Sequence, residues 1–185
     1  VVIDADQVAR DVVAPGSAGE RAVLERFGPG VRGPDGHLDR AALASIVFAD
    51  ATERLALEAI THPLIRGEID RRLANFEASA GGAEPPGVAV VELPLLDRRR
   101  QREYSFDVVV VIDAPEEVAV QRSVRRGMSE QDARARLAAQ PTPAQRLALA
   151  DRALVNDGDL EQLEKAVDDL WEWLVARGST SSRKE

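Results

Sequence analysis

The sequence predicts an α/β protein built on a parallel sheet, and three observations carry that expectation. Short apolar, β-branched runs recur at Val1–Ile3, Val88–Leu93 and Val108–Ile112, as suits strands covered on both faces. Helical patterns separate them, which places crossovers between parallel strands. The first run ends in Asp4 and Asp6, at the strand edge where open parallel sheets bind their ligands.

The elements follow in order. Val1–Ile3 is a strand and Gln7–Val13 a short helix, stopped by Ala14-Pro15-Gly16. Asp6 stands where a cap for that helix would stand; Asp4, two residues earlier, should point to the opposite side of a continuing strand. Ser17 caps a helix over Ala18–Phe27, closed by Gly28-Pro29-Gly30. Gly33-Pro34-Asp35-Gly36 is a turn. Asp39 caps a helix with Leu43 and Ile46 inward, and Asp50 caps the next. His62-Pro63 predicts a break, with a further helix to Phe76 and a loop over Ala78–Gly87. His62 reads as a structural hydrogen-bonding residue, and His37, in its turn, points to nothing specific.

In the second half, Asp113 with Pro115 and two glutamates predicts a capped helix start. Ser129-Glu130-Gln131-Asp132 resembles a capping box with Asp in the last place, opening a helix through Gln140. Helices near Ala144–Ala150 and from Leu160 to Arg177 flank a strand at Ala153–Val155. Gly178 is the expected stop, and residues 179–185 are expected to be a disordered tail.

Composition narrows the function. The net charge is -8, which disfavours nucleic acid and acidic membrane as partners. There is no cysteine, so thiolate metal sites and Cys nucleophiles are excluded; no metal-ligand spacing is evident. No run reaches transmembrane length, and a cytoplasmic place is expected. Basic residues number 24, of which only Lys165 and Lys184 are lysines. Arginine suits phosphorylated small ligands because its planar fork donates bidentately. Arg122, Arg125 and Arg126 share a helix face at i, i+3 and i+4; they could contact phosphates or form a solvated face paired with Glu116, Glu117 and Glu130.

Ile3-Asp4-Ala5-Asp6, Ala14-Pro15-Gly16, Asp35-Gly36-His37-Leu38-Asp39-Arg40, Thr61-His62-Pro63-Leu64-Ile65, Leu93-Pro94-Leu95-Leu96 and Gln121-Arg122 occur in this order at family-like spacing. In them the chain resembles the dephospho-CoA kinases, which use ATP with Mg²⁺ to phosphorylate the 3′-hydroxyl of dephospho-CoA. The resemblance implies a P-loop kinase-like fold with helical insertions: a mostly helical acceptor (CoA-side) region over 14–87 and a lid-like region over 115–150. It implies Asp6 as the catalytic carboxylate, with Asp4 in a lesser role. It implies Arg122 as a phosphate contact, Arg134 and Arg136 on the lid (where they could equally belong to the solvated face paired with Glu116, Glu117 and Glu130), and Asn156 in an adenine-side loop.

Two departures stand out. Neither lysine follows a glycine-rich loop, so the family's first βα unit, roughly 25–30 residues, is expected to be absent and the chain as written inactive alone. Residues Asp97–Phe106 are arginine-rich where the family runs apolar, acidic and small. Other readings are another P-loop nucleoside or nucleotide kinase, or a degenerate paralogue serving as a binding module.

Overall fold

The computed structural model describes residues 1–80, 87–94, 104 and 106–181, with backbone alone at 80 and 178–181. The chain divides into two compact units, Val1–Pro94 and Leu95–Glu185.

In the first unit, β1 (Val2–Asp4) runs straight into α1 (Ala5–Asp11), two residues earlier than the sequence suggests. The cap is Asp4, whose Oδ1 accepts the Gln7 N–H at 2.9 Å. The strand alternation expected to separate Asp4 from Asp6 therefore does not persist, and Asp6 lies in the first helical turn. The helix α2 (Ala18–Phe27) follows as expected, with Ser17 accepting the Glu20 N–H. Gly19 permits the start of α2 to approach the end of α1 closely: a Cβ there would collide with the backbone oxygen of Val12. Gly28, at φ +73°, ends α2 and opens a 3-10 turn to Val31.

Asp39 caps α3 (Arg40–Ala49) through the N–H groups of Ala41 and Ala42. Asp50 likewise accepts from Thr52 at the head of α4 (Ala51–Ala80). The expected break at His62-Pro63 does not occur: α4 continues through Pro63 and on to Ala80. A proline at 63 leaves the Ala59 carbonyl without its helical donor. Both residues are exposed, so water can serve that oxygen and the cost falls. Residues 78–80 are helical, not loop; 81–86 lie outside the described residues.

Val23, Leu24, Val31 and Leu43 form a buried cluster covered by Phe27, Ile46, Leu57 and Ile60. Val31 comes from the 3-10 turn; the others are apolar positions at helical spacing on α2, α3 and α4. Ile3, Val8 and Ile69 are fully buried as well. β1 pairs in parallel with β2 (Val90–Glu92), in the register Val2–Val90, Ile3–Val91, Asp4–Glu92. The expectation of strands covered on both faces fails for all three apolar runs: Val2 is 69%, Val90 49% and, in the later run, Ile112 58% exposed, because no described residue covers that side of each ladder.

In the second unit, β3 (Val110–Asp113) pairs in parallel with β4 (Arg152–Val155). Asp113 is the last residue of the strand and does not cap α5 (Glu116–Arg125), whose N-cap is Pro115. Ser129 caps α6 (Glu130–Ala138) by accepting the Asp132 N–H, and its hydroxyl donates to Asp132 Oδ2 at 2.7 Å. Asp is one methylene shorter than Glu, so it reaches the cap hydroxyl instead of the cap N–H. A full capping box, Thr142 with Gln145, starts α7 (Pro143–Leu147). The last helix, α8 (Leu160–Ser181), passes Gly178 without stopping. Glycine costs a helix only about 1 kcal/mol. Residues 179–181, expected in a tail, are helical; 182–185 lie outside the described residues. Trp173 faces the cations of Arg152 and Arg177 at 5.1 and 5.4 Å, while Trp171 is exposed.

The one buried charged side chain among the described residues is Glu20. Its carboxylate accepts from Gly16 N–H at 2.6 Å and Leu38 N–H at 3.0 Å, with His37 Nδ1 at 3.2 Å. These backbone donors hold the Glu20 carboxyl below the usual range. A lowered folded-state pKa stabilises the fold above the unfolded value near 4.5, and that stability is lost as pH falls through the folded value. Glu20→Gln should therefore lower the melting temperature by several degrees at pH 7. It should also flatten the fall in melting temperature of the parent protein below pH 4.5, read by calorimetry across pH 3–7.

Candidate functional site

Both parallel ladders gather polar side chains beyond their strand C-termini. In the first unit the register sets Asp4 beside Glu92 at the end of β1 and β2. The chain then turns into α1, whose first turn carries Asp6. Asp6 is exposed and has no partner among the described residues. Asp4 is occupied: it caps Gln7 and lies 4.0 Å from Arg10 Nη2.

Behind these residues stands a charged lattice. Arg72 of α4 donates to Glu68 Oε1 and Asp11 Oδ2, each at 2.8 Å. Asp11 Oδ1 accepts from Gln7 Nε2 at 2.7 Å, and Arg40 donates to the Arg10 carbonyl at 3.0 Å. Arg71 and Arg72 draw the Glu68 carboxyl down to about 2, while Gln7 and Arg72 lower that of Asp11. The lattice anchors the C-terminal end of α1 to α3 and α4, so the turn that carries Asp6 has a fixed base.

In the second unit, Arg122 donates through Nη1 to the Asn156 carbonyl at 2.7 Å and through Nη2 to the Gly158 carbonyl at 3.0 Å. The same turn is tied to β3 by the Asn156 N–H on the Asp113 carbonyl, 2.7 Å. Arg122 and Asn156 are thus brought together, but through backbone oxygens. Arg146, absent from the sequence-based set, pairs with Asp113 Oδ1 at 2.6 Å and with the Pro141 carbonyl at 2.8 Å. Its only sequence signal is a lone arginine after a capping box; the partner is 33 residues away.

The other arginines differ in kind. Arg134 forms a two-pronged pair with Glu117, at 2.9 and 3.0 Å, and a further bond to Glu130. The glutamate pairs weighed against phosphate contact are realised at Arg134. Arg125 and Arg136 are exposed without partners among the described residues, and Arg126 donates only to the Arg122 carbonyl. Among the described residues no group of three or more His, Asp or Glu is placed to hold a metal ion. This donor set does not make a Mg²⁺ cage. Most of Asp97–Phe106 lies outside the described residues, though Tyr104 and Phe106 stack at 5.2 Å. No described helix is long and apolar enough to cross a membrane.

Parallel strands joined by helical crossovers, with charge beyond their C-termini, define a ligand-binding α/β protein. The family model for dephospho-CoA kinase matches residues 1–162. A dephospho-CoA kinase of Streptomyces avermitilis is 50% identical over 178 residues, 96% of this chain and 83% of that protein. One of Frankia casuarinae is 47% identical over 177 residues, 96% and 74%. A crystal structure of a Thermus thermophilus protein superposes with a TM-score of 0.69 at 33% identity, over 94% of this chain and 84% of that one. The dephospho-CoA kinase from Campylobacter jejuni shares the fold, at TM-score 0.65 and 23% identity, over 96% and 86%. The chain belongs to the dephospho-CoA kinase family, ATP-using transferases of coenzyme A biosynthesis.

Arg122→Ala should strip two carbonyls of their charged donor and cost about 1–3 kcal/mol of stability. Urea unfolding of the variant beside the parent protein measures it, and Arg122→Lys should recover part.

Proposed function

We propose that Asp6 receives the proton of the dephospho-CoA 3′-hydroxyl as that oxygen attacks the γ-phosphorus of ATP. The oxygen–phosphorus bond to the ribose forms, the bond to the bridging oxygen breaks, ADP leaves, and the 3′-phosphate of CoA results. The observation that supports this most is the placement of Asp6: exposed and without a partner among the described residues, in the helical turn that follows the strand end, on a helix tied down at its other end. A free carboxylate can hold a hydroxyl and take its proton; Asp4, committed to its cap and to Arg10, supports it from the strand end.

In this reading the region 14–87 serves the acceptor, and 115–150 serves as a lid that carries cations toward the phosphates of ATP. Among the described residues, Arg125, Arg126 and Arg136 have guanidinium groups free of carboxylates to neutralise developing charge. Arg134 would have to exchange Glu117 and Glu130 for phosphate on closure. Arg122 would hold the Asn156 turn on the nucleotide side and meet phosphate through its remaining N–H. Mg²⁺ would arrive on the ATP phosphates and retain most of its water, as it does where one or two carboxylates suffice. A family role in coenzyme A synthesis also suits a cytoplasmic place.

Measured in a protein that carries the family's P-loop unit, Asp6→Asn should lower kcat by about 10²–10⁴-fold, with KM for dephospho-CoA within a few-fold, in a coupled assay of ADP release. An unchanged kcat would remove Asp6 from the chemistry.

A further inference from the structure

Three acidic side chains, Asp4, Asp6 and Glu92, gather where the proposed transfer delivers a dianionic phosphate. Unrelieved, they would repel the group being transferred. The described residues hold one cation against them. Arg10 lies at i+4 from Asp6, on the same face of α1. Its side chain runs back along the helix toward the strand end, as helical side chains do, and reaches 4.0 Å from Asp4 Oδ2.

The guanidinium is oriented, not loose. Nε and Nη2 both donate to Gln7 Oε1, at 3.1 and 3.0 Å. The Gln7 amide is itself fixed, because its Nε2 donates to Asp11 Oδ1 and Asp11 is held by Arg72. That relay turns the Gln7 oxygen toward Arg10. Nη1 has no partner among the described residues, and the side chain is about half exposed. A fixed fork with free donors, beside a carboxylate that takes a proton, matches the geometry a phosphate needs.

We propose that Arg10 contacts the transferred phosphoryl group, and so the 3′-phosphate of the product CoA, with Gln7 as its positioning residue. The inference rests on the reading of Asp6 above. It predicts a difference at equilibrium, without turnover, because CoA carries the 3′-phosphate and dephospho-CoA does not.

Titration calorimetry with CoA and with dephospho-CoA tests it. Arg10→Ala should weaken CoA about 10–100-fold, the worth of a charged hydrogen bond, and leave dephospho-CoA within about twofold. Arg10→Lys should keep part of the preference, and Gln7→Leu should lose several-fold of it with the melting temperature little changed. Asp6→Asn, by removing a like charge beside the phosphate, should tighten CoA relative to dephospho-CoA. Equal weakening of both ligands in Arg10→Ala, or no change in either, would overturn the assignment. Loss of the preference in Arg10→Ala with no effect of Asp6→Asn would leave Arg10 in place and remove Asp6. Failure of the parent protein to bind either ligand would overturn both.

Discussion

The hydrogen bond from the Gln7 N–H to Asp4 Oδ1 fixes the place where β1 stops and α1 begins. A strand exposes successive side chains on opposite faces, and a helix groups them at i and i+4. Because the switch comes at Asp4, Asp6 and Arg10 share one face and Gln7 reaches both Arg10 and Asp11. Had the strand run two residues further, Asp6 would belong to the ladder and Arg10 would sit elsewhere. One cap therefore determines the geometry on which the proposed chemistry stands.

The lattice beneath that cap works at the other end of the helix. A seven-residue helix is too short to hold itself. Arg40 and Arg72 tie its last turn to α3 and α4, and the buried Glu20 pins the loop before α2 to the turn before α3. Exposed ion pairs contribute little singly. Their role here is orientation, since Arg72, Glu68 and Asp11 share donors and acceptors in one connected set.

Much of this was legible in the sequence, and the reasons are local. Ser17, Asp39 and Asp50 cap helices through N–H groups two or three residues away, so their types and positions suffice. The order of strands and crossovers likewise follows from periodicity, and the motif order points to the dephospho-CoA kinases. What stayed hidden depends on distant partners. Glu20 meets Leu38 across 18 residues, and Arg146 meets Asp113 across 33. Pro63 looked like a break because the rule concerns the lost hydrogen bond; where the orphaned carbonyl is exposed, the helix carries on. Arg122 was legible as a residue of consequence, but its two bonds to carbonyl oxygens depend on the turn after β4, which a sequence pattern does not place.

Amide hydrogen exchange across α1 in Asp4→Ala and Asp4→Asn tests the central claim most directly. Asparagine caps nearly as well as aspartate, whereas alanine forfeits about 1 kcal/mol. The account predicts that Asp4→Ala speeds exchange at Val8 to Asp11 about fivefold, with Asp4→Asn close to the parent protein and α2 unchanged in both. Equal exchange in all three proteins would show that α1 starts without its cap, and that the strand-to-helix switch at Asp4 does not organise the site.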